Sequence, residues 1–149
     1  VSEAPRCRLV SVYRDTRAPA YLYRVLQERL KEPGTNISHT SLPTMKRHLE
    51  FVASRPYRAW YLIERVRNVS PEIIGCCYLT KQSEFGIYIN PGWRNLGFAH
   101  EALDILRDRH RGRILAHVNP ANEASRAFFE REGARLLQVT YELPSRRRA

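Results

Sequence analysis

Apolar residues change their spacing several times along the chain, and each change marks an expected element boundary. Cys7 to Tyr13 alternates as a half-buried strand does. Leu22, Val25, Leu26 and Leu30 then fall at helical spacing, and Pro33-Gly34 stops that helix. A loop through Asn36, Ser38, His39 and Pro43 leads to Thr44, a suitable cap for a second helix whose apolar stripe is Met45, Leu49 and Val52, ending before Pro56. Ala59 to Val66 and Ile73 to Thr80 read as two strands of a hairpin joined through Asn68, Ser70 and Pro71. Phe85 to Ile89 is a further short strand, cut off by Asn90-Pro91-Gly92. Beyond that turn Phe98, Ala102, Leu103 and Leu106 share one face of a helix, and Arg113 to Val118 reads as a buried strand. Pro120 to Glu132 follows as a helix with Asn122 at its N-cap and Gly133 as its stop, and Leu136 to Leu143 is expected as a last strand. The order β α α β β β α β α β predicts an α/β sandwich with a mixed sheet. Strand 85–89, the helix after it and strand 113–118 form a βαβ crossover, so those two strands should run parallel.

The length, 149 residues, suits one domain, with the residues after Pro144 as a basic tail: domain 1–143, tail 144–149. Charge is the outlier. Lys plus Arg number 25 against 15 Asp plus Glu, a net +10, and all the cations except Lys31, Lys46 and Lys81 are Arg. Such a balance favours anionic partners, whether nucleic acid, phosphorylated small molecules or an acidic surface, but it does not specify a fold. No apolar run approaches the roughly 18 to 20 residues of a membrane span, and Val1 to Arg8 lacks the apolar core of a signal peptide, so a cytoplasmic protein without membrane contact is expected. Cys7, Cys76 and Cys77 show no metal-ligand spacing, and no metal is expected.

Candidate chemistry concentrates at the junction of strand and helix, from Ile87 to His100. A tight turn into a helix aims unpaired backbone N–H groups at one point, where the helix dipole also favours negative charge. Gly97 has no Cβ to block a phosphate, Ala99 is nearly as small, and Arg94 places a positive charge at the entrance. The junction has neither the Gly-Lys-Ser/Thr of a nucleotide-binding P-loop nor the GxGxxG of a dinucleotide turn, and the same residues also suit a plain strand-to-helix turn.

Arg94-Asn95-Leu96-Gly97-Phe98-Ala99 resembles the Q/R-x-x-G-x-G/A motif of the GNAT superfamily of N-acetyltransferases, placed, as there, after a strand ending in Ile89-x-Pro91. Asn122 to Gly133 is similar to the second half of that fold, where an Asn precedes a helix ending in an aromatic, a short charged run and Gly. The resemblance covers Glu72 to Leu143; in the first half, Asn36-Ile37-Ser38-His39 and Tyr57 to Ile63 are similar to an uncharacterised subgroup. It implies a GNAT-like mixed sheet with a V-shaped splay between strands 85–89 and 113–118. It implies acetyl-CoA as donor, with the pyrophosphate on the amides of Asn95, Leu96, Gly97, Phe98 and Ala99 beside Arg94. The pantetheine arm would lie along Ile87, Tyr88 and Ile89, within reach of Asn119, Asn122, Ser125 and Phe129. Transfer would be direct attack of an amine on the thioester.

Three catalytic candidates follow. Glu84 begins the strand facing the acetyl group; it is a proton relay or a solvated turn residue. His117 lies on the opposed strand as a base or a packed core histidine, and Tyr88 shares the face of Glu84 and Gly86. The resemblance also implies a Tyr on the last helix as proton donor to the thiolate, but that position is Phe129, which has no proton to give; Ser125, Tyr88 and Tyr141 are the substitutes in view. His39 and Trp60 fall where the family builds its acceptor pocket, and Trp60 is equally a core residue. The expected reaction is N-acetylation of a primary amine, that of a small molecule first. A nucleic-acid or protein amine, or a non-catalytic basic module, remain as alternatives, in a monomer or homodimer.

Overall fold

The computed structural model describes residues 3–32, 41–67 and 70–147. Five strands form one sheet: β1 (Cys7–Ser11), β2 (Ala59–Arg65), β3 (Glu72–Leu79), β4 (Glu84–Ile89) and β5 (Leu115–Ala116). They lie in sequence order, antiparallel from β1 to β4, with β4 and β5 parallel across the crossover helix. Helices α1 (Ala18–Lys31) and α2 (Met45–Ala53) cover one face, and α3 (Phe98–Arg109) covers the other.

Strand alternation divides the core in two. Leu9, Ile63, Cys77, Phe85 and Ile89 pack with Phe98, Ala102, Leu103 and Leu106 of α3. Trp60, Leu62, Cys76 and Tyr88 pack with Tyr21, Leu22 and Val25 of α1 and Val52 of α2. Each fully buried aliphatic side chain contributes about 1.5–3 kcal/mol relative to exposure. Helix α1 starts at Ala18, earlier than the Leu22 stripe suggests, because Pro19 in the first turn lacks only an N–H that has no partner there. Thr44 caps α2 through its side chain, which accepts from the Arg47 amide at 3.2 Å. The expected Met45, Leu49, Val52 stripe is not what α2 buries: Met45 and Leu49 are exposed, while His48 and Val52 face inward and His48 Nε2 meets the Pro19 carbonyl at 2.8 Å.

Among the described residues one carboxylate lies in the interior. Glu64, 1 % exposed, is held by Arg8 and by Arg17, whose Nη2 lies 2.6 Å from one carboxylate oxygen. Burial opposes its charge, but the hydrogen bonds from Arg17 and Arg8 outweigh it and hold the carboxyl below the usual range.

Two expectations at the C-terminal end need correction. The expected strand 113–118 shrinks to Leu115–Ala116, and the expected strand Leu136 to Leu143 does not form: Leu136, Tyr141 and Leu143 are at least 84 % exposed. Alternation gives a segment a sheet-compatible face, but a strand exists only against a ladder, and two residues of β5 offer almost none. Helix α4 (Glu123–Arg131) forms as expected, with Asn122 Oδ1 accepting from the Ser125 amide at 3.1 Å.

Candidate active site

β4 and β5 are joined only at Glu84–Leu115 and Phe85–Ala116. From Gly86 to Ile89 the β5-facing edge of β4 has no ladder partner among the described residues, while its other edge remains paired with β3. The two strands therefore part in a V whose apex is at Glu84 and Phe85 and whose mouth lies towards the turn after Ile89.

That turn is shaped by two left-handed residues, Asn95 at φ 62° and Gly97 at φ 87°. Gly97 is the N-cap of α3, and its carbonyl accepts from the Glu101 amide at 3.1 Å. The first-turn amides of Phe98, Ala99 and His100 have no carbonyl within the helix to accept them, so they point outward at the positive end of the dipole. A residue not singled out from the sequence completes the corner. Arg6 donates from Nη2 to the Leu96 carbonyl at 2.9 Å, lies 4.4 Å over the Phe98 ring and pairs with Glu101 at 3.1 Å. A Cβ at Gly97 would meet the Arg6 Nη2 at 3.1 Å, so the missing side chain makes room for the Arg6 guanidinium beside the turn. Arg94 is placed differently from the expected entrance charge. Its Nε donates to the Ile89 carbonyl at 2.8 Å and its Nη2 pairs with Glu32 at 3.0 Å, tying the end of β4 to α1.

At the apex the structure brings Glu84 and His117 together: Glu84 Oε1 and His117 Nε2 are 3.4 Å apart, both side chains being partly exposed. Tyr78 of β3, also not singled out from the sequence, pairs across the sheet with Gly86, and a methyl group on Gly86 would overlap its Cζ and hydroxyl. Tyr88, on the same face as Gly86 and Tyr78 but two residues further from the apex, packs into the core beneath α1, where Arg94 lies 5.2 Å over its ring. Its buried hydroxyl has no partner, and burial raises its pKa above the ordinary tyrosine value.

The remaining expected residues are scattered around the V. Ile87 and Ile89 point to the α3 side, and Phe129 packs edge-on against Phe85 with ring centres 6.2 Å apart. Asn119 Oδ1 accepts from the Ala121 amide at 2.9 Å, so Asn119 and Asn122 both shape the approach to α4, and Ser125 supplies the amide bonded to Asn122. Trp60 is 7 % exposed and wedged among Tyr13, Phe51 and Tyr57, which makes it a wall of the α1–α2 core. His39 lies outside the described residues. No helix among the described residues is long and apolar enough to cross a membrane.

The sequence profile of the acetyltransferase (GNAT) family matches residues 22–134. No curated protein matches the chain by sequence. Among solved structures, a domain from Methanocaldococcus jannaschii is similar at a TM-score of 0.66 and 15 % identity, over 85 % of either chain. A possible acetyltransferase from Clostridium difficile is similar at 0.62 and 9 % identity, over 95 % of this chain and 97 % of that one. A mutant protein from Bacillus halodurans follows at 0.56 and 18 % identity, over 93 % and 98 %. At these identities the likeness is one of fold.

Proposed function

Since the chain belongs to the acetyltransferase (GNAT) family, we propose that it transfers the acetyl group of acetyl-CoA directly to the primary amine of a small molecule. The observation that carries this reading is the V itself, which runs from the amide-lined turn at Gly97 to the Glu84–His117 pair. The turn at Gly97, with Arg6 and the first-turn amides of α3, suits a pyrophosphate. The edge of β4 beyond its ladder with β5, from Gly86 to the Ile89 carbonyl that Arg94 takes, suits an arm that carries amides, which can bond to the strand as an extra strand would.

In this reading His117 takes a proton from the incoming ammonium, and Glu84 orients the imidazole and offsets the charge it gains. The resulting amine attacks the thioester carbonyl, whose oxygen draws hydrogen bonds from backbone N–H groups on the free edge of β4. Glu84 and His117 reach the thioester only at the apex, where β4 and β5 are still paired. The three free, buried cysteines suit a reducing cytoplasmic compartment.

Calorimetric titration with acetyl-CoA, followed by assays of His117→Asn, tests the reading. Acetyl-CoA is expected to bind both proteins equally, and the variant's kcat/KM for amine is expected to fall by about 10²–10⁴. Failure of acetyl-CoA to bind, or unchanged kcat/KM in the variant, overturns it. The exposed Arg146 and Arg147 favour one second reading, a macromolecular amine as acceptor. It requires polynucleotide binding whose logarithm falls steeply with log salt; absence of such binding removes it.

A further inference from the structure

We propose that Tyr78 is the proton donor to the departing thiolate, its hydroxyl delivered to the apex of the V across the side chain that Gly86 lacks. The proposal rests on acetyl transfer as read above.

The last helix carries Phe129 where a hydroxyl would be wanted, and Phe129 is engaged with Phe85 and Phe128. Tyr88 is no substitute: it stands on the same face but two residues further from the apex, and its hydroxyl is shut in beneath α1. Tyr78 is differently placed. It stands directly opposite Gly86, the first β4 residue past the ladder with β5, and its ring and hydroxyl occupy the volume in which a Cβ on Gly86 would lie. Any other residue at 86 would push the hydroxyl off its place over β4. Glu84, two residues earlier on the same face of β4, and His117 complete the cluster.

The ring is fixed for this position. Tyr57 stacks on Tyr78 with centroids 4.4 Å apart and planes 11° from parallel. Tyr57 is itself pinned by Tyr13, whose hydroxyl donates to the Tyr57 carbonyl at 3.0 Å and accepts from its amide at 3.1 Å. The Tyr78 hydroxyl makes no hydrogen bond among the described residues, which leaves its proton available. Burial, opposed by Arg29 and helped by Cys76 and Glu84, raises its pKa above the ordinary value, so it stays protonated at neutral pH.

The protons balance. The ammonium gives one proton to His117, and the amine nitrogen bonds to the thioester carbon. The carbon–sulfur bond breaks, its electron pair leaves on sulfur, and the Tyr78 O–H proton moves to that sulfur to give the free thiol. The second proton on the acylated nitrogen returns through water to the tyrosinate. Of the two protons lost by the ammonium, one thus replaces that given to the thiol and the other leaves from His117 to solvent.

Tyr78→Phe keeps the ring and its stacking on Tyr57, so the fold should survive. Two readouts follow. With saturating amine, kcat is expected to fall by about 10²–10⁴ while the acetyl-CoA dissociation constant changes less than about threefold. In the complex with the product CoA, the thiolate absorbance is expected to titrate about 1–2 pH units higher in the variant, because a donor to the thiolate has been lost. The protein's own thiols stay out of the way: burial raises Cys7 to about 11, Cys76 to about 12 and Cys77 well above the ordinary value. Unchanged kcat, or the same thiol titration in both proteins, overturns the proposal. If the wild type releases no thiol with any amine, acetyl transfer fails instead, while the CoA titration still reads Tyr78. Absence of CoA binding overturns both.

Discussion

Gly86→Ala is a small substitution with a sign that depends on its neighbour. Gly86 is not at a positive φ, so alanine fits the backbone and, by reducing the freedom of the unfolded chain, should stabilise a strand by about 0.5–1 kcal/mol. In this protein the new methyl group overlaps the Cζ and hydroxyl of Tyr78, and overpacking of this kind costs about 1–3 kcal/mol. The net expectation is destabilisation by about 0.5–2 kcal/mol, a lowering of Tm by about 2–4 °C for each kcal/mol. Truncating Tyr78 to Ala removes the clash, so in that background Gly86→Ala should become neutral or stabilising. A double-mutant cycle by urea unfolding, with all four proteins at a common m-value, should give a coupling of about 1–3 kcal/mol. Gly86→Ala should also lower kcat while leaving acetyl-CoA binding intact, since it displaces the hydroxyl and leaves the turn at Gly97 untouched. Equal effects of Gly86→Ala in the two backgrounds would refute the contact on which Tyr78's placement depends.

Other perturbations test other parts of the site. Gly97→Glu forces a side chain into a φ of 87°, costing about 1–2 kcal/mol, and sets a carboxylate beside Arg6. The protein should fold yet bind acetyl-CoA about 100-fold more weakly or worse, and Gly97→Ala should show a smaller loss; calorimetry reads both. Glu64 sets the acid limb of stability. Its folded pKa lies below the unfolded value, so its contribution is present above the unfolded pKa and is lost as pH falls through the folded one. Glu64→Gln should cost about 1–3 kcal/mol at neutral pH, and the difference from wild type should vanish in thermal melts at acid pH.

The parts of the site that were legible in the sequence are those set by local rules. The strand that stops at Asn90-Pro91, the tight turn with Gly97 ahead of a helix and the α3 stripe from Phe98 to Leu106 all follow from turn chemistry and periodicity, and the structure has them. Glu84 and His117 were each visible as candidates, and the two-residue parallel ladder explains why they meet. Tyr78 was not visible, because its meaning depends on the cross-strand register that sets it against Gly86, and register is a tertiary property. Arg6 escaped for the same reason: it sits 90 residues from the Leu96 carbonyl that it binds. The segment from Leu136 to Leu143 failed in the opposite direction, since its alternation is real but no ladder receives it.

The most direct test of acetyl transfer at the V is a panel of small primary amines incubated with acetyl-CoA, reading free thiol and the mass of the amine together. Thiol released in equal amount to an acceptor heavier by one acetyl group, and lost in Gly97→Glu, is the predicted result. Thiol released without an acetylated amine, or transfer undiminished in Gly97→Glu, would contradict it.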